Sequence, residues 1–257
     1  MEVYQHFRKE EHPFIDQVLS WKDQVERSFQ PKLSDFLTPR EQTIFQSIIG
    51  NNSDMKLSFF GGKESAERKR AILAPYYEEI AEDDFQISLL EATYPIKFIS
   101  IEHRDVLGAF LSLGMKRKKL GDLVVYDGTI QLLVDQEIES YVKVNLTEVK
   151  KANVLFEQQP FSHLIESQEK WEQKLVTASS LRLDAVLKEI YQLSRQNAAA
   201  AIQKGLVKVN YQSIENTSFL VEKDDLISFR GKGRSKIDEV HGLSKKDKWK
   251  MTVGILK

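Results

Sequence analysis

The chain has 257 residues, 41% hydrophobic and 29% charged, enough material for two or three cores, and its formal net charge is −1. It has no cysteine, which excludes disulfides, thiolate nucleophiles and cysteine-containing zinc sites, and no apolar run is long enough to span a bilayer. From Ser179 onward fifteen Lys and Arg face nine Asp and Glu, a balance of +6 that leaves −7 for the residues before it, so a basic end on an acidic body implies a polyanionic partner.

The opening MEVYQHFRKEEHPF has acids where a signal peptide carries its apolar run, so a cytoplasmic protein with no membrane partner is expected. Phe14, Val18, Trp21 and Val25 line one face of a helix that Pro31 interrupts. The next helix starts at Thr38-Pro39-Arg40-Glu41, a capping box with proline at the first helical position. Ile44, Phe45, Ile48 and Ile49 follow, and Gly50 stops it. KLSFFGGKESAERKRAILAPYY predicts a short strand, a Gly61-Gly62 turn and a basic helix closed before Pro75, with Glu67, Arg68, Lys69 and Arg70 on its solvated face.

Between Phe85 and Gln159 the periods change. IKFISI is strand-like, and RDVLGAFLSLG carries Val106, Leu107, Phe110 and Leu111 at helical spacing with Gly114 as the stop. LVVYDGTIQLLV is a hairpin about Asp127-Gly128, a second helix uses Ile138, Tyr141 and Val142, and NVLF is a last strand. This βαββαβ order is ferredoxin-like and shared with many readers of single-stranded RNA. The aromatic pattern of an RNA-reading sheet is absent. In the loop after the first of these helices stand Lys116, Arg117, Lys118 and Lys119. Complementing a helix C-terminus and making an auxiliary RNA contact are equally open roles for them.

QEKWEQKLVTASS, 168 to 180, is polar and small and is expected to be a linker. After it, Leu183, Val186, Leu187 and Ile190 form the stripe of a short helix. Ser194 is the N-cap of a second helix that ends at Gly205, in which Ala198, Ala201 and Ile202 face the first. Its exposed N-terminus, with Arg195 and Gln196, suits a phosphate. LVKVN is a strand with Lys208 opposite Val207 and Val209. DLISFRGKGR is another strand, running into a turn where Arg230, Lys232, Arg234 and Lys236 alternate with Gly231, Gly233 and Ser235. Together these cations are expected to make one contiguous surface for sugar-phosphate strands.

The order Arg182-Leu183-Asp184-x-x-Leu187, Ser194-Arg195-x-x-Ala198, Ile202-x-x-Gly205-x-Val207-x-Val209-Asn210 and Asp225-x-Ile227-Ser228-x-Arg230-Gly231-x-Gly233-Arg234 resembles the alpha-L RNA-binding motif. This is the small domain of ribosomal small-subunit protein four, which also occurs in tyrosyl-tRNA synthetases, pseudouridine synthases and ribosome-binding heat-shock proteins. Two turns depart from it: Asn210-Tyr211 stands for the usual Asn-Gly and Asp224-Asp225 for the usual Gly-Asp. FFGGKESAERKRAIL and HRDVLGAFLSLGMKRKKLGDLVV extend the resemblance to the YlmH family, bacterial proteins with this domain at the C-terminus. That resemblance implies binding to ribosomal RNA of the large subunit, and to tRNA, in rescue of stalled translation.

The expected architecture is therefore α+β and multidomain. It has an α-rich N-terminal domain over 1–80, a ferredoxin-like (RRM-like) domain over 81–165 and a basic alpha-L domain over 179–257. The expected RNA contacts are Arg182, Ser194, Arg195, Lys204, Lys208, Asn210, Arg230, Lys232, Arg234 and Lys236. Capping alone for Ser194 and turn-making alone for Asn210 stay open. Pseudouridine synthases carry a catalytic Asp in an Arg-Leu-Asp triplet, but here the triplet opens the binding motif with no large catalytic domain beside it. His6, His12, His103, His163 and His241 are too scattered for a metal site, and no nucleotide-binding glycine pattern occurs. A monomeric, non-catalytic RNA binder without cofactor or metal is expected; the alternatives are an RNA-modifying enzyme and a cell-division interaction factor.

Overall fold

A computed structural model describes residues 3–50, 54–166 and 170–256, and the chain divides into two units, Met1–Ser167 and Gln168–Lys257. In the first, helix α1 (His12–Ser28) buries Ile15, Val18 and Val25, with Phe14 and Trp21 packed beside them. It closes at Phe29, which takes φ 57° and donates its N–H to Val25 O, before Pro31 is reached. Helix α2 (Pro39–Ile49) begins with the predicted capping box: Glu41 N–H donates to Thr38 Oγ1 at 3.3 Å and Thr38 N–H to Glu41 Oε2 at 2.7 Å.

Strands β1 (Lys32–Leu33), β2 (Met55–Phe60) and β3 (Arg70–Pro75) form an antiparallel sheet in the order β1-β3-β2. The basic helix expected before Pro75 is therefore a strand. All six residues of β3 are buried: Ala71 and Leu73 face the helices, while Ile72 and Ala74 join Phe60 and Phe85 on the other side. A short apolar run buried on both faces has no alternation to distinguish it from a buried helix. Nor are Arg68 and Arg70 solvated. Arg70 donates to Ser34 O at 2.7 Å and Gln86 O at 2.9 Å, and pairs with Asp135 at 3.2 Å. Burial lowers its pKa, and Asp135 opposes that shift.

The second module of this unit contains β4 (Ile87–Thr93), α3 (His103–Ser112), β5 (Leu120–Tyr126), β6 (Thr129–Asp135) and α4 (Glu139–Asn145). After a small hairpin of β7 (Glu148–Val149) and β8 (Ala152–Asn153) comes β9 (Glu157–Gln159). The sheet is antiparallel in the order β5-β6-β4-β9, the ferredoxin-like arrangement. Asp127 and Gly128 take φ 45° and 78° in the predicted hairpin turn.

The first and last strands of the sequence lie elsewhere than expected. IKFISI is irregular, with Phe98 88% exposed, and the first strand precedes it at Ile87–Thr93. NVLF contributes Asn153 to β8 and the buried Val154 and Phe156 to the core, and the pairing strand follows it.

One face of this sheet packs Leu90, Ile130, Leu132 and Val134 against Val106, Phe110 and Val142 of the helices. The other is covered too. Leu89 and Leu133 meet Phe36, Phe161 and Leu164, and Gln131 donates to Glu91 at 2.6 Å and His163 O at 2.7 Å. The Phe36 ring lies 2.5 Å from where a Cβ on Gly121 would stand, so only glycine admits it. The face on which an RRM stacks bases is occupied by this chain's own side chains.

The second unit is built from β10 (Trp171–Ala178), α5 (Leu183–Tyr191), α6 (Arg195–Gln203), β11 (Val207–Val209), β12 (Gln212–Ser213), β13 (Leu226–Phe229), β14 (Gly233–Leu243) and β15 (Trp249–Leu256). Its antiparallel sheet runs β10-β15-β14-β13-β11-β12. The expected linker is thus corrected: residues 171–178 pair along their whole length with β15. Their polar side chains gave no sign of it, because on this edge strand only Val176 and Ala178 are buried. Leu183, Leu187, Ala198 and Ile202 of the two helices pack on Val207, Ile227, Ile237 and Val253 of one sheet face. The small alanines permit that close approach.

Candidate nucleic-acid interface

Helix α6 begins as foreseen, with Asn197 N–H donating to Ser194 Oγ at 3.1 Å. Beside it lies a carboxylate whose role the sequence showed only in part. Asp184, in the first turn of α5 and 3% exposed, accepts Nε and Nη2 of Arg182, both at 3.1 Å, and Nε of Arg195 at 3.3 Å. Burial raises its pKa, but the two guanidinium groups outweigh this and hold the carboxyl below its ordinary value. Arg182 and Arg195 remain 37% and 59% exposed at their side chains, so Asp184 holds them from behind and leaves a fixed pair of cations facing solvent.

A second group gathers on the helix-free face of the sheet. Lys208, Ser228 and Arg234 are in register across β11, β13 and β14, and alternation places them opposite the buried Val207, Val209, Ile227 and Phe229. Arg230 and Lys232 stand in the three-residue turn that closes β13 onto β14, where Gly231 and Gly233 take φ 80° and 99°, a backbone that side chains rarely adopt. The guanidinium of Arg234 lies 5.8 Å from the centre of the Trp171 ring, a cation–π contact that steadies it. Trp171 was missed because it fell in the expected linker; a tryptophan next to a basic domain was the available signal. Lys208, Ser228, Arg230 and Arg234 line an open concavity of about 530 Å³. Lys204, Lys208, Arg230 and Lys232 are exposed and pair with no carboxylate among the described residues.

The candidate cations thus fall into two sets, the Arg182 and Arg195 pair held by Asp184 and those at and around the β13–β14 turn. Arg195 stands at one end of α6 and Lys204 at the other, separated by about 13 Å at 1.5 Å per residue. The remaining candidates are occupied within the fold. Asn210 donates to the fully buried Asp225 at 2.7 Å and accepts Leu226 N–H at 3.0 Å, and Lys236 lies 3.5 Å from Asp224. Asn210 and Tyr211 take φ 49° and 69°, so tyrosine holds a position where the motif normally has glycine.

In the first unit, Arg117 donates to Leu120 O and Gly121 O, and burial lowers its pKa to about 10. Lys118 pairs with Asp35, and Lys119 with Asp35, Asp135 and Glu137. Of the four, only Lys116 and half-exposed Lys118 present charge outward to any extent.

Three family descriptions match the chain: "YlmH, N-terminal" over residues 10–78, "Putative RNA-binding domain in YlmH" over 81–163 and "S4 domain" over 181–227. The "Ribosome-associated protein quality control protein P2" of Bacillus subtilis (strain 168) is 43% identical over 251 residues, spanning 98% of this chain and 97% of the relative. A solved structure, "Cell division protein ylmH from Streptococcus pneumoniae", is 31% identical with a TM-score of 0.56, covering 63% of this chain and 99% of that one. The S4 match stops at 227, so Arg230, Lys232, Arg234 and everything beyond them lie outside it.

Proposed function

Because the chain belongs to the YlmH family, we propose that it is a non-catalytic, monomeric RNA-binding protein. It acts in the cytoplasm on the large ribosomal subunit, contacting ribosomal RNA, with tRNA present, in quality control of stalled translation. The observation that carries this reading is that Lys208 and Arg230 line one concavity, that Lys204 and Lys232 are exposed next in sequence to its lining glycines, and that none of the four pairs with a carboxylate among the described residues. Cations left unpaired in a fold that pairs so many others suit an external polyanion. The name of the Bacillus subtilis relative supports the ribosome as its source.

The second unit works by position. Ordered guanidinium and ammonium groups replace the counterions around phosphates, and the released ions drive association. Asp184 serves that purpose rather than chemistry, since its carboxylate is buried behind two arginines and charge-paired with both. The name of the pneumococcal protein favours a second reading, a factor in cell division. Fractionating a cell lysate over a sucrose gradient separates the two. Migration of the protein with large subunits at low salt and release at high salt supports the ribosomal role; migration with division proteins, or with neither, overturns it.

A further inference from the structure

Strand β14 outruns its neighbour β13. Only Gly233 to Lys236 pair with β13, and beyond that point β14 is in register with β15 alone, through irregularities at Ile237/Glu239 and Val240/Gly242. Strand β10 accompanies β15 as far as Trp249, so the far end is a three-stranded ribbon. It finishes in an ordered turn. Ser244 N–H donates to Lys248 O at 2.7 Å, and Ser244 Oγ accepts N–H groups of Lys246 and Lys248 at 3.3 and 3.1 Å. Asp247 takes φ 53° to close it. Lys245, Lys246, Lys248 and Lys250 are all exposed there, and none pairs with a carboxylate among the described residues.

The ten residue steps from Gly233 to Leu243, at about 3.3 Å each and shortened by the irregularities, span about 30 Å. Basic groups mark both ends: Lys208, Arg230 and Lys232 at the near one, and the lysine turn at the far one. Between them the strand carries first Arg234 and Lys236, the latter 3.5 Å from Asp224, and then two acids. Asp238 lies over Gly254, 3.2 Å from where a Cβ would stand, and Glu239 is opposite Thr252. Positive, negative, positive is a poor track for one continuous strand, which would lay phosphates over Asp238 and Glu239. A duplex presents phosphates as two tracks with a groove between, and a separation on the order of a helical turn suits such a ribbon.

We propose that this ribbon is a two-point ruler for double-stranded RNA: the Arg230 end meets one phosphate track, and Lys245, Lys246, Lys248 and Lys250 meet the next. The inference rests on the RNA-binding reading above and names the class of RNA. The full chain is titrated, at several salt concentrations, with RNA duplexes of about 8 and about 20 base pairs and with a single strand of about 20 nucleotides. The long duplex binds about tenfold or more tighter than the short one, because the second contact becomes intramolecular.

The variant Lys245→Gln/Lys246→Gln/Lys248→Gln keeps the melting temperature and loses that preference. Its salt slope falls by about 0.9 log units per log unit of salt for each contact removed. A variant that retains the preference, or a single strand that binds as tightly as the long duplex, overturns the ruler. If the unaltered protein binds none of the RNAs, the function proposed above fails first.

Discussion

Substituting Asp184→Asn removes a negative charge from a unit built to meet a polyanion, yet the geometry predicts weaker RNA binding. The carboxylate holds Arg182 through two bonds of 3.1 Å and Arg195 through one of 3.3 Å. An amide keeps one acceptor and turns an N–H donor toward a guanidinium, so at least one arginine is released. Ordering a released side chain again on RNA costs about 0.5–1.5 kcal/mol. One or two released arginines therefore weaken binding by about 0.5–3 kcal/mol, or roughly 2- to 150-fold. The charge gained offsets part of this at low salt and little at physiological salt.

Fluorescence anisotropy with ribosomal RNA fragments at fixed salt measures the affinity, and thermal unfolding shows that the variant is folded. If Asp184→Asn binds as tightly as the parent or tighter, the arginines act as plain charges and the idea of an internal clamp is wrong.

The same pair sets a dependence on acid. Because the folded carboxyl has a depressed pKa, its contribution to stability is present above the ordinary Asp value of about 4 and lost as pH falls through the folded one. The stability difference between parent and Asp184→Asn, measured by denaturant unfolding at a series of pH values, should shrink only on that acid side. A difference unchanged down to the lowest pH contradicts the pairing. Gly121→Ala forces a methyl against the Phe36 ring and should cost about 1–3 kcal/mol in the first unit, read by thermal unfolding; an unshifted transition would mean that the ring moves freely. Asn210→Ala strips a donor from the buried Asp225 and an acceptor from Leu226, and should destabilise the second unit by about 1–3 kcal/mol. RNA binding lost without destabilisation would instead make Asn210 a contact.

The helices were legible because their signals are local. Thr38 and Ser194 cap, Gly50 and Gly205 stop, and apolar stripes at helical spacing run between. The Asp127-Gly128 hairpin was legible for the same reason. Strands that depend on distant partners were not. Arg70–Pro75 becomes a strand because helices cover one side of it and Phe60 and Phe85 the other, and Trp171–Ala178 because β15 lies alongside.

The candidate site follows the same division. Arg230 and Lys232 could be placed on a glycine-bounded turn from sequence, whereas the bond from Arg195 to Asp184 joins residues eleven apart and needs both helices in place. The basic cluster at 116–119 showed its charge but not the acids Asp35 and Asp135 that pair with Lys118 and Lys119, nor the carbonyls that hold Arg117.

The central claim is that the unpaired cations of the second unit bind phosphates. Its most direct test is the affinity of the full chain for large-subunit ribosomal RNA as a function of salt, compared with Lys208→Gln/Arg230→Gln/Lys232→Gln. These three side chains pair with no carboxylate among the described residues, so the variant should fold as the parent does. The account predicts a steep loss of affinity with salt in the parent, and a slope in the variant shallower by about 0.9 for each phosphate contact removed. An affinity indifferent to salt, or an unchanged slope in the folded variant, would contradict it.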